Sequence, residues 1–361
     1  MIWAGKSRKA VFVLGAGATR GAVPHVLVNR KRIKSPLNRD FFDVVEKFAN
    51  AYRDGRRTRR RYQRLRKVLE SEFPTRGKWP LPMETAFSLL YVSKDFPEIY
   101  AAGAGRRRQP GSRKEIEDFL RLTFGVLGAI EVGASTGNLY SELVRHLESN
   151  DSIITLNYDA VLDRALIRAG WPPGKGYCLI GGQNKIVPRR SKVPPSAQLA
   201  DVRLLKLHGS LNWLVRGSYK NIHQVFDKKP SQVLINKSPS KNEKSGFIRQ
   251  IIPPIYGKFF NHYHWQSLWS HAYQSIVDAE LIVVIGCSLV DTDFHLSGMF
   301  GHAIGKRKRD GRPFDYAILV DRVGIRRKWK RLLKGNVAKS IPYRSFEKFM
   351  RKLKKMGGVI E

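Results

Sequence analysis

The residues suited to chemistry fall in short clusters spread along the chain. Gly15-Ala16-Gly17-Ala-Thr19 is a glycine-rich turn whose missing side chains let the backbone approach a phosphate, with a helix N-terminus behind it to favour the charge. Thr155-Leu-Asn157-Tyr-Asp159 places an amide, both donor and acceptor, two positions from a carboxylate. Lys206-Leu-His208-Gly209-Ser210 holds a histidine, the side chain whose pKa suits a general base near neutrality. Gly286-Cys-Ser288 offers backbone amides and a hydroxyl, and Asp321 offers a carboxylate able to grip a sugar diol. Each cluster also has a plainer reading. The glycines can be tight turns, His208 can be a satisfied core histidine, and Asp159 and Asp321 can cap the helices that begin beside them. Asp291, Asp293 and His295 are spaced like a metal cluster, but acids at a helix N-terminus are the favoured reading. No G-x-x-x-x-G-K-[ST] segment occurs, and the third glycine of the first cluster falls at Gly21 rather than completing G-x-G-x-x-G.

The elements that must hold these residues can be read from the apolar pattern. Ala10–Leu14, Ser152–Leu156, Arg203–Leu207, Leu281–Ile285 and Tyr316–Val320 are short apolar runs rich in branched residues, which predicts buried parallel strands. Each stops at one of the clusters: Gly15, Asn157, His208, Gly286 and Asp321. In an open parallel sheet the carboxyl ends of the strands share one edge, so clusters far apart in sequence would converge above it. Helices are predicted over Ala160–Arg168 and Ser345–Lys355. From Pro36 to about Asn150 the period is helical, carried by Phe41, Val44, Val45 and Phe48 and by later sets such as Ile116, Phe119, Leu120 and Phe124. Residues 171–200, rich in Pro and Gly, read as a loop. Trp265, Leu268, Trp269, Ala272 and Ile276 form a helical stripe read as core, with His262 and His264 as packing or surface residues. The expected organisation is an α/β core over 1–35 and 150–361, with 36–149 as a helical insertion or cap.

Composition narrows the class. The 361 residues are 42% hydrophobic, enough for a packed core. Cys178 and Cys287 are the only cysteines, too few for a disulfide framework or a four-cysteine zinc site. The longest apolar run, Leu281 to Val290, is too short to span a bilayer. No signal peptide is read at the N-terminus, so a soluble, cytoplasmic protein with no membrane partner is expected. The net charge of +36, from 66 Lys+Arg against 30 Asp+Glu, makes nucleic acid or another polyanion a physical expectation, with a proteome-wide basic bias as the rival. Arg53–Lys67 is the densest block, with nine basic residues in fifteen. Only Tyr62 in it could stack on a base, so the block is a solvated helix face or a backbone contact.

Taken in order, these motifs resemble those of the sirtuin superfamily: G-A-G-x-S, T-Q-N-x-D, H-G and G-T-S-L. They stand here as Gly15-Ala-Gly17-Ala-Thr19, Thr155-Leu-Asn157-Tyr-Asp159, His208-Gly209 and Gly286-Cys-Ser288-Leu289. The segments around His208 and from Gly286 to Asp293 look like the branch found in prokaryotic anti-phage defence. The resemblance covers roughly 8–30 and 150–325, with Met83–Leu90 as a looser match. It implies a Rossmann-like open parallel sheet with a mainly helical inserted cap. It also implies NAD as substrate, with Asn157, His208 and Asp159 catalytic and Gly15, Ala16, Gly17, Thr19, Gly209, Gly286, Ser288 and Asp321 binding. The sequence departs from sirtuin deacylases in two places. It lacks the cysteines of their zinc module, so no metal is expected, and Val23-Pro24-His25-Val26 stands where they carry an arginine-bearing G-x-P-x-F-R. Both departures weaken peptide deacylation and favour NAD hydrolysis to nicotinamide and ADP-ribose, with NAD-dependent deacylation or ADP-ribosyl transfer as the alternative. By the same resemblance the enzyme is a regulated effector, held inactive until homo-oligomerisation or a separate activating partner triggers it. A nucleic-acid-binding protein that uses this fold as a scaffold is the rival from another class.

Overall fold

β1 (Ala10–Leu14) has no solvent-facing side chain. A strand buried on both faces belongs in the middle of a covered sheet. It pairs in parallel with β10 (Leu281–Ile285) on one flank and β4 (Ser152–Thr155) on the other. β6 (Arg203–Lys206) extends the sheet beyond β4; β11 (Phe314–Val320) and β12 (Val337–Tyr343) extend it beyond β10. The result is a six-stranded parallel sheet in the order β12-β11-β10-β1-β4-β6. The computed structural model describes residues 8–52, 55–73, 79–95, 113–179, 185–187, 193–217, 230–234, 246–255, 263–290 and 293–355.

The chain builds outward from β1 to one side and then returns to build the other. The order therefore reverses between β1 and β10, the kind of switch point above which open α/β sheets hold ligands. Register aligns Leu14 with Thr155 and with Ile285, Thr155 with Lys206, and Ile285 with Val320. All five predicted strands are present and parallel, and the clusters that follow them leave from one edge. β12 was not anticipated. Its sequence, Val-Ala-Lys-Ser-Ile-Pro-Tyr, has no fully buried position because it is an edge strand.

Between β1 and β4 the described elements are α1 (Ala16–Ala22), the hairpin β2 (Val26–Val28) and β3 (Lys31–Ile33), α2 (Phe41–Ala51), α3 (Gly55–Glu72), α4 (Met83–Asp95), α5 (Arg113–Gly133) and α6 (Leu139–Val144). The hairpin turns at Asn29 and Arg30, both with positive φ, as a tight two-residue turn requires. An aromatic cluster joins three of these helices: Phe119 of α5 stacks on Phe41 of α2 at 5.3 Å and meets Phe87 of α4 edge-on at 4.7 Å.

α7 (Val161–Arg168) and the single turn α8 (Pro173–Gly176) follow β4; α9 (Tyr263–Asp278) precedes β10; α10 (Phe294–Arg309), α11 (Val323–Leu332) and α12 (Phe346–Lys355) complete the chain. Trp265, Leu268, Ala272 and Ile276 of α9 are buried as expected. A second sheet, β5 (Lys185–Val187), β8 (Gln232–Leu234), β7 (Gly209–Arg216) and β9 (Phe247–Ile251), lies in that spatial order. It corrects the reading of 171–200 as loop alone, since β5 falls inside that stretch, while β7, β8 and β9 follow His208. Among the described residues no helix is long and apolar enough to cross a membrane, and no three His, Cys, Asp or Glu side chains are placed to hold a metal.

Candidate functional site

A cavity of about 620 Å³ opens over the carboxyl edge of the sheet, at the switch point. Gly15, Ala16, Gly17, Asn157, Asp159, His208, Gly286, Ser288 and Asp321 all line it. Thr19 and Gly209, the other two predicted site residues, do not.

The glycines meet a packing demand between two loops. The turn after β1 and the turn after β10 touch backbone to backbone: Gly15 N–H donates to Ile285 O at 3.1 Å and Gly17 N–H to Gly286 O at 3.0 Å. A Cβ on Gly15 would stand 2.5 Å from Gly286 O, and one on Gly286 would stand 2.1 Å from Ala18 N. Gly286 also has φ +59°. These three glycines let two loops lock together, and the locked pair forms the cavity floor.

Thr19 is buried and acts as a hub. Its hydroxyl donates to Asp159 Oδ2 at 2.9 Å and accepts from Tyr140 Oη and Asn157 Nδ2, each at 2.9 Å. Burial pushes the Tyr140 phenol well above its ordinary range, so it stays a donor. The second amide hydrogen of Asn157 goes to Gly15 O at 3.0 Å. With both hydrogens committed, Asn157 offers a ligand its Oδ1 as acceptor.

Asp159 is 6% exposed and divides its carboxylate between Thr19 and the helix that follows, accepting at Oδ1 from Val161 N–H at 3.1 Å. The N-cap of that helix is Ala160, so Asp159 serves the helix end from one residue before it. Burial raises its pKa, opposed by the nearby Lys206 cation and by these hydrogen bonds. Lys206 is fully buried; its ammonium donates to Asp159 O at 2.6 Å and pairs with Asp163 at 3.0 Å. The hub and the ion pair together fix the Asn157–Asp159 segment from behind.

His208 follows β6 and is anchored through its backbone, its carbonyl accepting from Ile252 N–H at 2.8 Å. Its Nε2 lies 3.0 Å from Asp293 Oδ2, and the two side chains are 6% and 1% exposed. Asp293 is the N-cap of α10, where its Oδ1 accepts from Leu296 N–H at 3.2 Å. One carboxylate thus caps a helix with one oxygen and orients an imidazole with the other. Donation from Nε2 fixes the tautomer that puts the basic lone pair on Nδ1. The helix-terminus reading of Asp293 holds. Asp291 lies outside the described residues, and His295 packs against Trp269 at 6.1 Å.

A family model of the SIR2-like domain matches residues 151–336, just over half of the chain. The chain belongs to the SIR2-like family. The matched stretch contains Asn157, Asp159, His208, Gly286, Ser288, Asp293 and Asp321, and it leaves out the Gly15–Thr19 turn. Among solved structures, one similar chain is a Sir2 mutant with a p53 peptide and NAD: 14% identity, TM-score 0.36, covering 98% of this chain and 94% of that one. Another is Sir2 with an inhibitor, 2′-O-acetyl-ADP-ribose and a deacetylated p53 peptide: 13% identity, TM-score 0.35, covering 98% and 95%. No curated protein matches the chain. The assignment rests on the family model.

Other parts of this SIR2-like site were invisible in the sequence. Arg20 clamps Asp40 with two bonds, at 2.6 and 2.9 Å, and its Nε donates to Ser35 O, which pins the segment before α2 across the cavity mouth. Asn38 ties that segment to α4, accepting from Glu84 N–H at 2.9 Å. Arg39 and Arg322 line the cavity beside Asp321, whose carboxyl burial pushes up and whose Oδ1 accepts from Arg322 N–H at 2.6 Å. Gly209 begins β7 at φ +79°, and a Cβ there would stand 2.4 Å from Gln250 O, so it serves the second sheet. Burial pushes the Cys287 thiol up to about 12, which removes it as a nucleophile. Its carbonyl accepts from Trp329 Nε1 at 2.7 Å, tying α11 to the cavity floor.

Proposed function

We propose that the chain is an NAD hydrolase that breaks the nicotinamide–ribose bond and releases nicotinamide and ADP-ribose. The observation that carries this reading is the convergence of Asn157 and the His208–Asp293 pair on one cavity at the switch point of the sheet. The donor set fits a dinucleotide. Asp321 suits a ribose diol, Arg39 and Arg322 suit the pyrophosphate, and Phe41, Leu127 and Ile325 give apolar wall to a ring. NAD enters as substrate, and no metal is required.

Nicotinamide is a cationic leaving group, so the bond breaks without an acid. As the C1′–N bond opens, its electron pair neutralises the pyridinium and C1′ takes on oxocarbenium character. A water oxygen bonds to C1′, and the proton it sheds goes to His208, the general base oriented by Asp293. Asn157 Oδ1 accepts from the water or a ribose hydroxyl. Asp159 acts through the Thr19 hub and the start of α7, or as a negative charge near C1′.

Residues 36–149 act in this reading as a helical cap on a core of 1–35 and 150–361. Extended by the motif resemblance, the protein is a cytoplasmic effector of anti-phage defence, released by self-assembly or an activating partner. The test is nicotinamide release from NAD. Asn157→Ala and His208→Ala are each expected to lower it by about 10²-fold or more, with each variant still giving a cooperative thermal melt. Release that survives both substitutions rules the site out, and release accelerated by an acyl-lysine peptide moves the reading to deacylation.

A further inference from the structure

Part of the positive charge of this protein sits where helix dipoles favour it. α10 carries Lys306, Arg307, Lys308 and Arg309 in its last turn, α11 carries Lys330 and Arg331, and α12 carries Lys352, Lys354 and Lys355. Cations there are stabilised by the negative end of the helix dipole. α3 is arranged the other way. Arg56, Arg57, Arg59 and Arg60 sit in its first two turns, there is no acid in the first turn, and there is no base in the last. Like charges at the positive end of a dipole destabilise a helix, so stability does not account for them.

The inner face of α3 is a conventional one. Tyr62, Leu65 and Leu69 are buried against the neighbouring helices. Arg61 and Arg64 pair with Asp118 of α5, and Arg66 pairs with Glu70 and reaches Glu46 of α2. The outer face is not paired. Arg56, Arg57, Arg59, Arg60 and Lys67 are exposed, and among the described residues none has a carboxylate within ion-pair distance. Arg56, Arg60 and Lys67 follow one stripe, about 16 Å long at the helical rise. The outer face offers no stacking ring, since Tyr62 is 4% exposed.

We propose that the outer face of α3 is a docking surface for the phosphate backbone of a nucleic-acid duplex. Forked guanidiniums grip phosphate oxygens in pairs, a run of them matches a run of phosphates, and the lack of exposed aromatics makes the contact sequence-independent. This surface lies apart from the cavity and does not rest on the NAD reading.

The test measures binding of a short random-sequence DNA duplex to the full chain across a salt series. It compares Arg56→Gln, Arg57→Gln, Arg59→Gln and Arg60→Gln together with a charge-matched control, Lys348→Gln, Lys352→Gln, Lys354→Gln and Lys355→Gln on α12. The α3 variant is expected to bind about a hundredfold more weakly and to lose about 3–4 from the slope of log K against log salt. Its melting temperature is expected to stay level or rise, because cations leave the positive end of a dipole. The control is expected to keep wild-type affinity within about threefold. Equal losses in both variants would mean diffuse charge rather than a site. Undiminished binding by the α3 variant, or competition by polyglutamate as strong as by duplex, would also overturn the proposal.

Discussion

At the scale of single residues, the site depends on side chains that serve two partners at once. Asp293 is the clearest case, because one oxygen caps α10 and the other holds His208. Asp293→Asn keeps an acceptor for the cap but presents an amide to Nε2, which reverses the imidazole tautomer. Nicotinamide release is then expected to fall by about 10²–10⁴ with little change in melting temperature. Asp293→Ala should lose the cap as well and cost about 1 kcal/mol of stability. Thermal melts and initial rates measured side by side check the separation; an Asn variant with wild-type rates would deny Asp293 any part in orienting His208. Thr19 shows the same economy, with its single hydroxyl joining Tyr140, Asn157 and Asp159.

At the scale of elements, the loops after β1 and β10 are the joint on which the cavity is built. Gly286→Ala forces a Cβ to 2.2 Å from Gly17 C at a positive φ, and a loss of about 3 kcal/mol or more is expected. Gly128, inside α5, would meet nothing within 4 Å, so Gly128→Ala should stabilise by about 0.5–1 kcal/mol. Urea titrations of the two variants check this contrast, and similar effects in both would contradict the locked-loop account. The buried strands were legible because a strand with no wet face is written as an unbroken apolar run: Leu281–Ile285 is Leu-Ile-Val-Val-Ile. β12 was not legible because an edge strand keeps Ala338, Lys339 and Pro342 exposed and buries no position fully. β7 was hidden for another reason. Its Ser210 and Asn212 are buried polar residues, and burial among hydrogen-bond partners leaves no alternation to read. The residues that converge on the cavity could be named from the strand ends alone, since a parallel sheet dictates that convergence. Their partners could not. Asp293 with His208, Thr19 with Asn157 and Arg20 with Asp40 are contacts between elements that nothing in local sequence orders.

At the scale of the whole molecule, acids buried in the fold set its response to pH. Burial pushes Glu131 and Asp151 up to about 7, from ordinary values of 4.5 and 3.8. Glu131 accepts from Ala160 N–H at the start of α7, and Asp151 accepts from Ala10 N–H at the start of β1. Raised pKa values mean that the folded chain binds protons the unfolded chain has released. The stability they contribute is fully present below about pH 4 and is lost as pH rises through about 7. The stability difference between wild type and Glu131→Gln is therefore expected to shrink or turn negative between pH 5 and pH 8, as read by urea titration at each end. A difference that grows with pH would contradict the assignment.

The central claim is that the cavity at the switch point takes NAD as its substrate, and binding tests it before any question of activation arises. NAD should be titrated calorimetrically into the His208→Ala protein, which retains the cavity but lacks the base that would consume the ligand. Saturable one-to-one binding is expected, weakened about tenfold or more by adding Asp321→Ala, a loss of roughly 1.4 kcal/mol. No binding at millimolar NAD, or binding that Asp321→Ala leaves untouched, would contradict the claim.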